Sequence, residues 1–322
     1  MATDQSAAVV TGAAGFIGSS VSLALLRAGW RIVGVDNFDP FYDESVKRAN
    51  VRACAGAGDF ELLEADICEP GALAGALRRA RPGLVIHLAA RAGVRPSIED
   101  PVGYARANVL GTAVVLDACL RAGTDRILCA SSSSVYGNSE KVPFAETDDV
   151  SRPISPYAST KASCELLGFT HHALHGQPVA MLRFFTVYGP RQRPDLAISK
   201  FMRRVAAGEP IPVFGDGSTS RDYTFIDDIV AGVRAAADAI GGHGYRVWNL
   251  GSDTPVRLDA MIEAVAATVG RAAVIDRQPM QPGDVERTWA DLTRSGAELH
   301  YSPSTSFADG LRKQWEWMRG QG

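Results

Sequence analysis

The stretch that decides the fold is Ala7-Ala8-Val9-Val10-Thr11-Gly12-Ala13-Ala14-Gly15-Phe16-Ile17-Gly18. Its apolar first part predicts a short buried strand, and the apolar spacing that follows Gly18 predicts a helix. Glycines at 12, 15 and 18 allow a tight turn, close approach of the backbone to a pyrophosphate, and close packing of the helix on the strand. The pyrophosphate would lie at the positive N-terminal end of that helix. The segment therefore predicts a dinucleotide-binding turn in an α/β fold.

An acidic residue ends the next predicted strand. Residues 31–36 are apolar up to Asp36, which lies eighteen positions after Gly18. A carboxylate there can accept hydrogen bonds from an adenosine ribose and would repel a 2′-phosphate, which favours NAD over NADP. The spacing Gly-x-x-Gly-x-x-Gly differs from the Gly-x-Gly-x-x-Gly of the commonest dinucleotide folds. Taken alone, it also fits a plain strand-to-helix connection.

Further apolar runs alternate with helical segments and end in residues suited to a ligand site. Predicted strands at 60–63, 84–90 and 126–130 indicate a doubly wound parallel sheet of the Rossmann type. Ligands of such sheets bind at the carboxyl ends of the strands. The candidate residues that follow or end these strands are Asp66, Ile67, Leu88, Ala89, Ala90 and the serines at 131–134. His87 lies inside a predicted strand, where a core histidine is the simpler interpretation.

Tyr157 and Lys161 are the candidate proton-transfer pair. They are four residues apart in Ser155-Pro156-Tyr157-Ala158-Ser159-Thr160-Lys161, so on a helix they share one face, about 5–6 Å apart at Cβ. A free phenol titrates near pH ~10, and a fixed ammonium beside it favours the phenolate. The phenol could then take a proton from a sugar hydroxyl. The spacing alone also fits an ordinary amphipathic helix, so its weight comes from the motifs around it.

Composition narrows the class of protein. A chain of 322 residues with 46% apolar content can bury a sizeable core in one or two domains. A net charge of −3 argues against nucleic acid as a partner. Five cysteines without a Cys-x-x-Cys pair favour reduced thiols in a cytoplasmic protein over disulfides or a metal site. We see no basic-then-apolar leader and no apolar run near 18 residues, so we expect neither secretion nor a membrane span.

The regular strand-helix alternation ends near residue 185. Residues 1–185 are predicted to form the dinucleotide-binding domain, and residues 186–322 mainly a smaller C-terminal lobe rich in Pro and Gly loops. The division is not strictly contiguous, because residues 246–251 read as a strand that returns to the main sheet. A predicted helix at 307–318 carries Trp315 and Trp317, which we expect to pack the core of the lobe rather than to stack on a base.

Together these segments resemble the extended short-chain dehydrogenase/reductase family, and within it the nucleotide-sugar 4-epimerases. The resemblance covers nearly the whole chain. It is carried by Thr11-Gly12-x-x-Gly15-x-x-Gly18, Asp36, Asp66-Ile67, Leu88-Ala89-Ala90, Asn108, Ser131 to Gly137, Tyr157-x-x-x-Lys161, the run Arg183-Phe184-Phe185-Thr186-Val187-Tyr188-Gly189-Pro190, and Ser220-Arg221-Asp222-Tyr223 before Asp227-Asp228.

The resemblance implies roles for named residues. Tyr157, Lys161 and Ser132 would be catalytic. The NAD-binding residues would be Gly12, Gly15, Phe16, Ile17, Gly18, Asp36, Asn37, Asp66, Ile67, Leu88, Ala89, Ala90, Asn108, Tyr157, Lys161 and Phe184. The residues that bind the UDP-sugar would be Ser133, Ser134, Thr186, Arg193, Arg95, Val213, Phe214, Arg221, Asp284 and Arg287. In the last group, Arg221 is expected on the diphosphate, whereas Arg287 fits a surface ion pair equally well.

The nature of the sugar is indicated by two segments and by one missing residue type. Related dehydratases and decarboxylases carry carboxylates in the segment where this chain has Ser133-Ser134. Residues 37–43 and 184–190 look most like those of UDP-glucuronate 4-epimerases, and many other 4-epimerases have Asn where Thr186 stands. The lead hypothesis is thus epimerisation of UDP-glucuronate to UDP-galacturonate. The alternatives are a UDP-glucose or UDP-N-acetylglucosamine 4-epimerase and a non-catalytic NAD-binding regulator. The family also implies a homodimer formed through two helices, one of which carries Tyr157.

Overall fold

A parallel β-sheet with helices on both faces forms the centre of the protein in this computed structural model, which describes residues 6–279 and 285–320. The strands of the described chain are Ala7–Thr11 (β1), Arg31–Asp36 (β2), Phe60–Glu64 (β3), Leu84–His87 (β4), Arg126–Ser132 (β5), Val179–Phe184 (β6), Thr186–Tyr188 (β7), Ile211–Phe214 (β8), Ser220–Phe225 (β9), Tyr245–Leu250 (β10), Pro255–Arg257 (β11) and Ile275–Gln278 (β12). Seven of them make the main sheet, in the order β10-β6-β5-β4-β1-β2-β3.

The helices that connect these strands cover the sheet. They are Phe16–Arg27 (α1), Glu44–Ala55 (α2), Pro70–Ala80 (α3), Val94–Glu99 (α4), Pro101–Tyr104 (α5), Gly111–Ala122 (α6), Pro156–His175 (α7), Ala197–Ala207 (α8), Ile226–Ala239 (α9), Leu258–Val269 (α10), Thr293–Leu299 (α11) and Phe307–Arg319 (α12). A π-helical turn, Ala105–Leu110, leads into α6, and a 3-10 turn, Ser133–Tyr136, follows β5. Among the described residues, no helix is both long and apolar enough to cross a membrane.

Apolar residues on alternate sides of the central strands divide the core into two layers. Val10 packs in one cluster with residues of α1 and α9, whereas its neighbour Val9 packs in another with residues of α3, α6 and α7. Both side chains are fully buried. Successive side chains of a strand point to opposite faces, so a strand covered on both faces needs a continuous apolar run rather than alternation. This explains why β1, β4 and β6 are the most uniformly apolar segments, and it confirms the predicted doubly wound fold.

The strand order places a crevice beside β1. The chain builds outward from β1 through β2 to β3, then crosses back to β4 on the other side of β1. Helices that leave neighbouring strands at this point turn to opposite faces, and ligands of open α/β sheets bind in the resulting gap. The ends of β1, β2, β4, β5 and β6 therefore surround one site.

A smaller group of elements lies over this edge of the sheet. The strands β7, β9 and β11 form a three-stranded sheet, and β8 pairs with β12. The chain leaves the main sheet between β6 and β7 and returns in β10, which pairs in parallel with β6. The fully buried carboxylate of Asp222 on β9 accepts hydrogen bonds from the backbone amides of Ser252, Asp253 and Ala290. Asp222 therefore links strand β9 of the lobe to the segment that follows β10.

Element boundaries differ from the sequence-based expectation in two informative places. The predicted strand 84–90 is wrong at its end, since β4 stops at His87 and residues 88–90 form a loop. The predicted strand 126–130 is too short, since β5 continues to Ser132 through its pairing with Phe184. His87 is a core residue as expected: it lies between Thr11 and Thr112, and burial lowers its pKa to about 3. The predicted helix at 307–318 is α12, and Trp315 packs against the core.

Candidate functional site

A cavity of about 560 Å³ lies along the carboxyl ends of the central strands. Its size falls in the range usual for small-molecule and cofactor sites. Most of the sequence-predicted site residues line it: Gly12, Gly15, Phe16, Ile17, Gly18, Asp36, Asn37, Asp66, Ile67, Leu88, Ala89, Ala90, Ser132, Ser133, Ser134, Tyr157, Lys161, Phe184, Thr186 and Arg193. The fold thus brings residues from separate sequence motifs together around one cavity.

The glycine turn between β1 and α1 leaves room that any larger residue would fill. Gly12 has a φ of 70°, and a Cβ there would lie 2.8 Å from the backbone nitrogen of Ala89. A Cβ on Gly18 would overlap the carbonyl oxygen of Gly12. Because these positions carry no side chain, the backbone of the turn is open to the cavity. This open cradle at a helix N-terminus fits the pyrophosphate of a dinucleotide.

Asp36 is held at the end of β2 by two backbone amides. Its carboxylate accepts hydrogen bonds from Ala14 at 3.0 Å and from Phe38 at 2.9 Å. Burial raises the pKa of Asp36, and the hydrogen bonds from Phe38 and Ala14 and the charge of Lys47 oppose that rise. The side chain therefore has a fixed orientation on the cavity wall, as a ribose acceptor requires.

The neighbouring acid, Asp66, is fixed by an arginine. Arg106 Nη1 donates to Asp66 Oδ2 at 2.9 Å, and the backbone amide of Cys68 donates to Oδ1 at 2.9 Å. Burial acts to raise the pKa of Asp66, but these hydrogen bonds hold it below its ordinary value. Asp66, Ile67 and Arg106 all line the cavity near the end of β3.

Helix α7 presents Tyr157 and Lys161 to the cavity. The helix starts sharply, because the Ser155 hydroxyl caps the amide of Ala158 and Pro156 occupies the first turn. Ser97 Oγ accepts a hydrogen bond from the backbone amide of Tyr157 at 3.1 Å. The Lys161 ammonium is 4% exposed and donates to the carbonyl oxygen of Ala130 at 2.8 Å. The end of β5 thus fixes the ammonium on the same side of α7 as the phenol.

Hydroxyl groups at the end of β5, in the turn after it and at the start of β7 also line the cavity. The Ser132 hydroxyl accepts from the backbone amide of Ser134 and donates to the Ser134 hydroxyl, at 3.2 Å each. Ser133 lies between them in the 3-10 turn, and Thr186 begins β7. All four hydroxyls line the cavity. The segment 132–134 therefore offers short neutral hydrogen-bond donors. It carries no carboxylate that could act as an acid or base.

Arg193 is one of the cations that line the cavity. It forms an ion pair with Asp195 at 2.6 Å and donates to the carbonyl oxygen of Ala92 at 3.2 Å. Its guanidinium lies 4.8 Å from the centre of the Phe41 ring, which belongs to the loop after β2. This contact joins the lobe segment after β7 to the loop 37–43, both of which were singled out in the sequence.

Several predicted residues do not line this cavity. The amide of buried Asn108 donates to Thr160 Oγ1 at 2.9 Å and makes two hydrogen bonds with the backbone of Arg91, so it supports the wall from behind. Arg95 lies over the Phe214 ring at 4.2 Å. The side chain of Val213 is buried, Arg221 donates to the carbonyl oxygens of Ser220 and Glu286, and Arg287 donates to that of Glu140. Asp284 lies outside the described residues.

The cavity residues that were not predicted from the sequence include the cations Lys47 and Arg91. Lys47 on α2 is 6% exposed and donates to the carbonyl oxygen of Asp39. Arg91 pairs with Asp39 at 3.0 Å and with Asp100 at 2.6 Å. Arg91 directly follows Leu88-Ala89-Ala90, so its position was a usable signal. Lys47 is separated from any motif, and only the packing of α2 against α1 brings it to the wall.

The sequence and the fold of this chain are similar to those of known proteins. Residues 8–251 match the model of the NAD dependent epimerase/dehydratase family. A UDP-glucuronate 4-epimerase of Thermodesulfobacterium geofontis is 37% identical, over 97% of this chain and 95% of the relative. The crystal structure of UDP-glucuronic acid 4-epimerase from Bacillus cereus, in complex with UDP-glucuronic acid and NAD, superposes with a TM-score of 0.92 at 34% identity, covering 98% of this chain and 100% of the other. Thermus thermophilus UDP-glucose 4-epimerase, in complex with NAD, superposes with a TM-score of 0.89 at 30% identity, covering 98% and 100%.

We predict that Asp36 makes the protein prefer NAD over NADP. A 2′-phosphate would take the place of a ribose hydroxyl beside a carboxylate, and a lost hydrogen bond to a charged group corresponds to about 10- to 150-fold in affinity. Calorimetric titration of cofactor-depleted protein measures both affinities. Asp36→Asn should narrow the gap, whereas Asp216→Asn, which alters a carboxylate at an exposed turn, should leave it unchanged. Equal affinity of the unaltered protein for both cofactors would contradict the assignment.

Tyr157→Phe is predicted to keep cofactor and UDP-sugar binding while lowering turnover by about 10²- to 10⁴-fold, because the phenolic base is removed. The matched control is Tyr104→Phe. Tyr104 packs edge-to-face on Tyr157, with ring centres 6.2 Å apart, and within the described residues its buried hydroxyl has no hydrogen-bond partner. The control should stay within about threefold of the unaltered enzyme. If Tyr157→Phe also stayed within about threefold of the unaltered enzyme, Tyr157 would not be the base.

Proposed function

The chain belongs to the NAD dependent epimerase/dehydratase family, and on that basis we propose that it is a UDP-glucuronate 4-epimerase, which interconverts UDP-glucuronate and UDP-galacturonate. One observation carries the proposal: a single cavity holds the glycine cradle, the Tyr157–Lys161 pair and a facing set of hydroxyls. The first two fit a bound dinucleotide beside a base. The set of hydroxyls fits a substrate whose carboxylate must be hydrogen-bonded without being lost as CO2.

NAD is the cofactor that the residues fit. Gly12, Gly15 and Gly18 would hold the pyrophosphate, Asp36 the adenosine ribose, and Lys161 the ribose on the nicotinamide side. When bound, NAD supplies reversible oxidation at C4 of the sugar and is regenerated in each turnover. Leu88, Ala89 and Ala90 expose little side chain, so their loop allows close approach of the cofactor.

Proton transfer at C4 is assigned to Tyr157. Its phenolic oxygen removes the proton of the C4 hydroxyl, aided by Ser132 Oγ, and returns a proton after the 4-keto sugar has turned over to present its other face. Lys161 donates to the carbonyl oxygen of Ala130, which fixes its ammonium at the cavity wall. Both groups project from adjacent turns of one helix, which keeps their spacing constant through the cycle.

A uronate adds a constraint that a neutral sugar lacks. Its 4-keto intermediate is a β-keto acid, which loses CO2 when the bond to the carboxylate aligns with the carbonyl π system. The site must hold the carboxylate out of that alignment and hydrogen-bond its charge. Ser133, Ser134 and Thr186 are short donors suited to this, and Arg193 is a cation that lines the same cavity.

The UDP moiety would extend toward the lobe. We assign Arg221 to the diphosphate, because a planar guanidinium can bind phosphate oxygens in pairs. The backbone of Val213 and Phe214 would read the edge of the uracil. Arg95 stacks on the ring of Phe214 and is proposed as a further substrate ligand. Arg287 is retained as a second phosphate ligand.

The alternatives make different demands on the same cavity. The similarity to a UDP-glucose 4-epimerase, with a TM-score of 0.89, means that the fold alone does not select the sugar. The hydroxyl set with Thr186 favours the uronate over UDP-glucose or UDP-N-acetylglucosamine. A non-catalytic NAD-binding regulator would have no need for Ser132, Tyr157 and Lys161 together in one cavity.

We also propose that the protein forms a homodimer through α6 and α7. These helices pack against each other, and exposed apolar side chains lie on them or just before them. These are Leu110, Leu120, Leu166, Phe169 and Leu174, with exposures of 38–71%. Light scattering should give twice the chain mass, and Leu166→Glu with Phe169→Glu should give a folded monomer. A monomeric unaltered protein would contradict this assembly.

The direct test of the proposed function is incubation of the purified protein with a panel of UDP-sugars, followed by NMR. We expect UDP-galacturonate from UDP-glucuronate without added reductant, and slower or no conversion of UDP-glucose and UDP-N-acetylglucosamine. Faster conversion of UDP-glucose would transfer the assignment to the alternative. No conversion of any sugar by protein that binds NAD would support the regulator.

Thr186→Val tests the carboxylate contact, since valine has a similar shape without the hydroxyl. The loss of one hydrogen bond to a charged group costs roughly 1.5–3 kcal/mol, or about 10- to 150-fold in kcat/KM for UDP-glucuronate. The neutral hydroxymethyl group of UDP-glucose should be affected much less, so the ratio of the two kcat/KM values is informative. Equal losses for both sugars would exclude Thr186 as a carboxylate ligand.

A further inference from the structure

A continuous set of buried polar side chains joins five elements: α7, β5, the 3-10 turn after it, β6 and β10. Glu165, one helical turn beyond Lys161, accepts from Arg183 through both carboxylate oxygens, at 2.8 and 2.7 Å. Glu165 also accepts from Ser131 Oγ at 2.5 Å. Arg183 Nη1 donates to Tyr136 Oη at 2.9 Å, and Tyr136 Oη donates to Asn249 Oδ1 at 2.7 Å. We call these five side chains the buried relay.

The relay is sealed from water. Glu165 and Arg183 are 6% and 3% exposed, and Tyr136 is 4% exposed. Its ring stacks on that of Phe144, with centres 4.8 Å apart. Desolvation of a buried ion pair offsets most of its attraction, so such a pair adds little stability compared with apolar residues of the same size. A bidentate pair does fix the relative orientation of the two elements that carry it.

Three members of the buried relay are close in sequence to residues that line the cavity. Glu165 follows Lys161 by four residues on α7, so the two side chains are neighbours on the helix surface. Tyr136 ends the turn that holds Ser133 and Ser134. Arg183 precedes Thr186 by three residues, where β6 gives way to β7. The buried relay thus connects helix α7, which carries Tyr157, to the turn that carries Ser133 and Ser134 and to the strand that precedes Thr186.

We propose that Glu165, Arg183 and Tyr136 are positioning residues that set the fidelity of the reaction. They hold the hydroxyls of Ser133, Ser134 and Thr186 at a fixed distance from Tyr157, so the C6 carboxylate stays out of line with the C4 carbonyl while the sugar is oxidised. This inference rests on the proposed uronate substrate. According to this proposal, buried residues that do not contact the substrate help to keep its carboxylate out of line with the C4 carbonyl.

The failure that the relay prevents has a measurable product. If the carboxylate of the 4-keto intermediate aligns with the carbonyl, the C5–C6 bond breaks and CO2 leaves. The bonding electron pair remains as an enolate, which takes a proton at C5 and gives a UDP-4-keto-pentose. Each UDP-4-keto-pentose that leaves before its own C4 ketone is reduced leaves one NADH behind, whereas reduction of that ketone gives a UDP-pentose and regenerates NAD. Epimerisation leaves none, and the two outcomes are therefore counted separately.

Tyr136→Phe is the most conservative test, because it removes only the hydroxyl that links Arg183 to Asn249 and keeps the stacked ring. The control is Tyr301→Phe. Tyr301 is also buried, at 6% exposure, and its hydroxyl donates to the carbonyl oxygen of Gly251 at 2.8 Å. NMR quantifies UDP-galacturonate and UDP-4-keto-pentose, near-ultraviolet absorbance quantifies NADH, and thermal melts check the fold.

For Tyr136→Phe we expect KM within about threefold, kcat lower by about 10-fold, and at least about a 10-fold larger ratio of UDP-4-keto-pentose to UDP-galacturonate, since small misplacements of reacting groups cost one to two orders of magnitude. Tyr301→Phe should keep the ratio of the unaltered enzyme at a comparable melting temperature. An unchanged ratio in Tyr136→Phe would overturn the proposal.

A second variant separates positioning from folding. Glu165→Met combined with Arg183→Met removes both buried charges while keeping apolar bulk, a replacement that proteins often tolerate. The proposal predicts a folded protein that retains NAD and yields mainly UDP-4-keto-pentose. Normal fidelity in this double variant would show that packing alone suffices, and would overturn the proposal.

Failure of the proposed function is distinguishable from failure of this inference. If the unaltered protein epimerises UDP-glucose and not UDP-glucuronate, the proposed substrate is wrong and the fidelity role falls with it. If the unaltered protein epimerises UDP-glucuronate cleanly and the relay variants do so as well, the substrate stands and only the relay assignment is wrong.

Discussion

Parallel pairing of β1 with β2 on one side and β4 on the other is the constraint on which the rest of the structure depends. Thr11 at the end of β1 lies opposite Val35 and His87, so all three strands end at one edge of the sheet. The glycine turn, the acid that ends β2 and the small residues after β4 meet there although they are far apart in the sequence. A slip of one residue in any of these strands would exchange its two buried faces and move its last residue away from the cavity.

The sequence predicted the main sheet because its strands are buried on both faces and read as continuous apolar runs. It also predicted the cavity residues that follow directly from strand ends, such as Asp36 and Ser132. It did not predict that Leu88-Ala89-Ala90 leaves the sheet, since an apolar run does not show where pairing stops. Lys47 escaped notice because its place depends on how α2 packs on α1, which no local pattern encodes.

The polar interior could not have been read from the sequence for a related reason. Glu165 and Arg183 look like ordinary surface charges on a helix and a strand, and only the approach of α7 to β6 brings them together in the interior. The same holds for Asn108, which carried a family motif and supports the cavity wall rather than lining it. Motifs identify which residues matter, whereas burial and partners decide whether a residue contacts a ligand or holds another residue in place.

The central claim is that the C4 hydrogen of the sugar leaves and returns within one closed site. This is tested most directly by incubating the protein with UDP-glucuronate that carries deuterium at C4, in ordinary water, and following both sugars by NMR to equilibrium. The account predicts that deuterium is retained at C4 of UDP-glucuronate and UDP-galacturonate over many turnovers. Loss of the label to solvent, or exchange of the hydrogen at C5 instead, would contradict oxidation and reduction at C4 as the route of epimerisation.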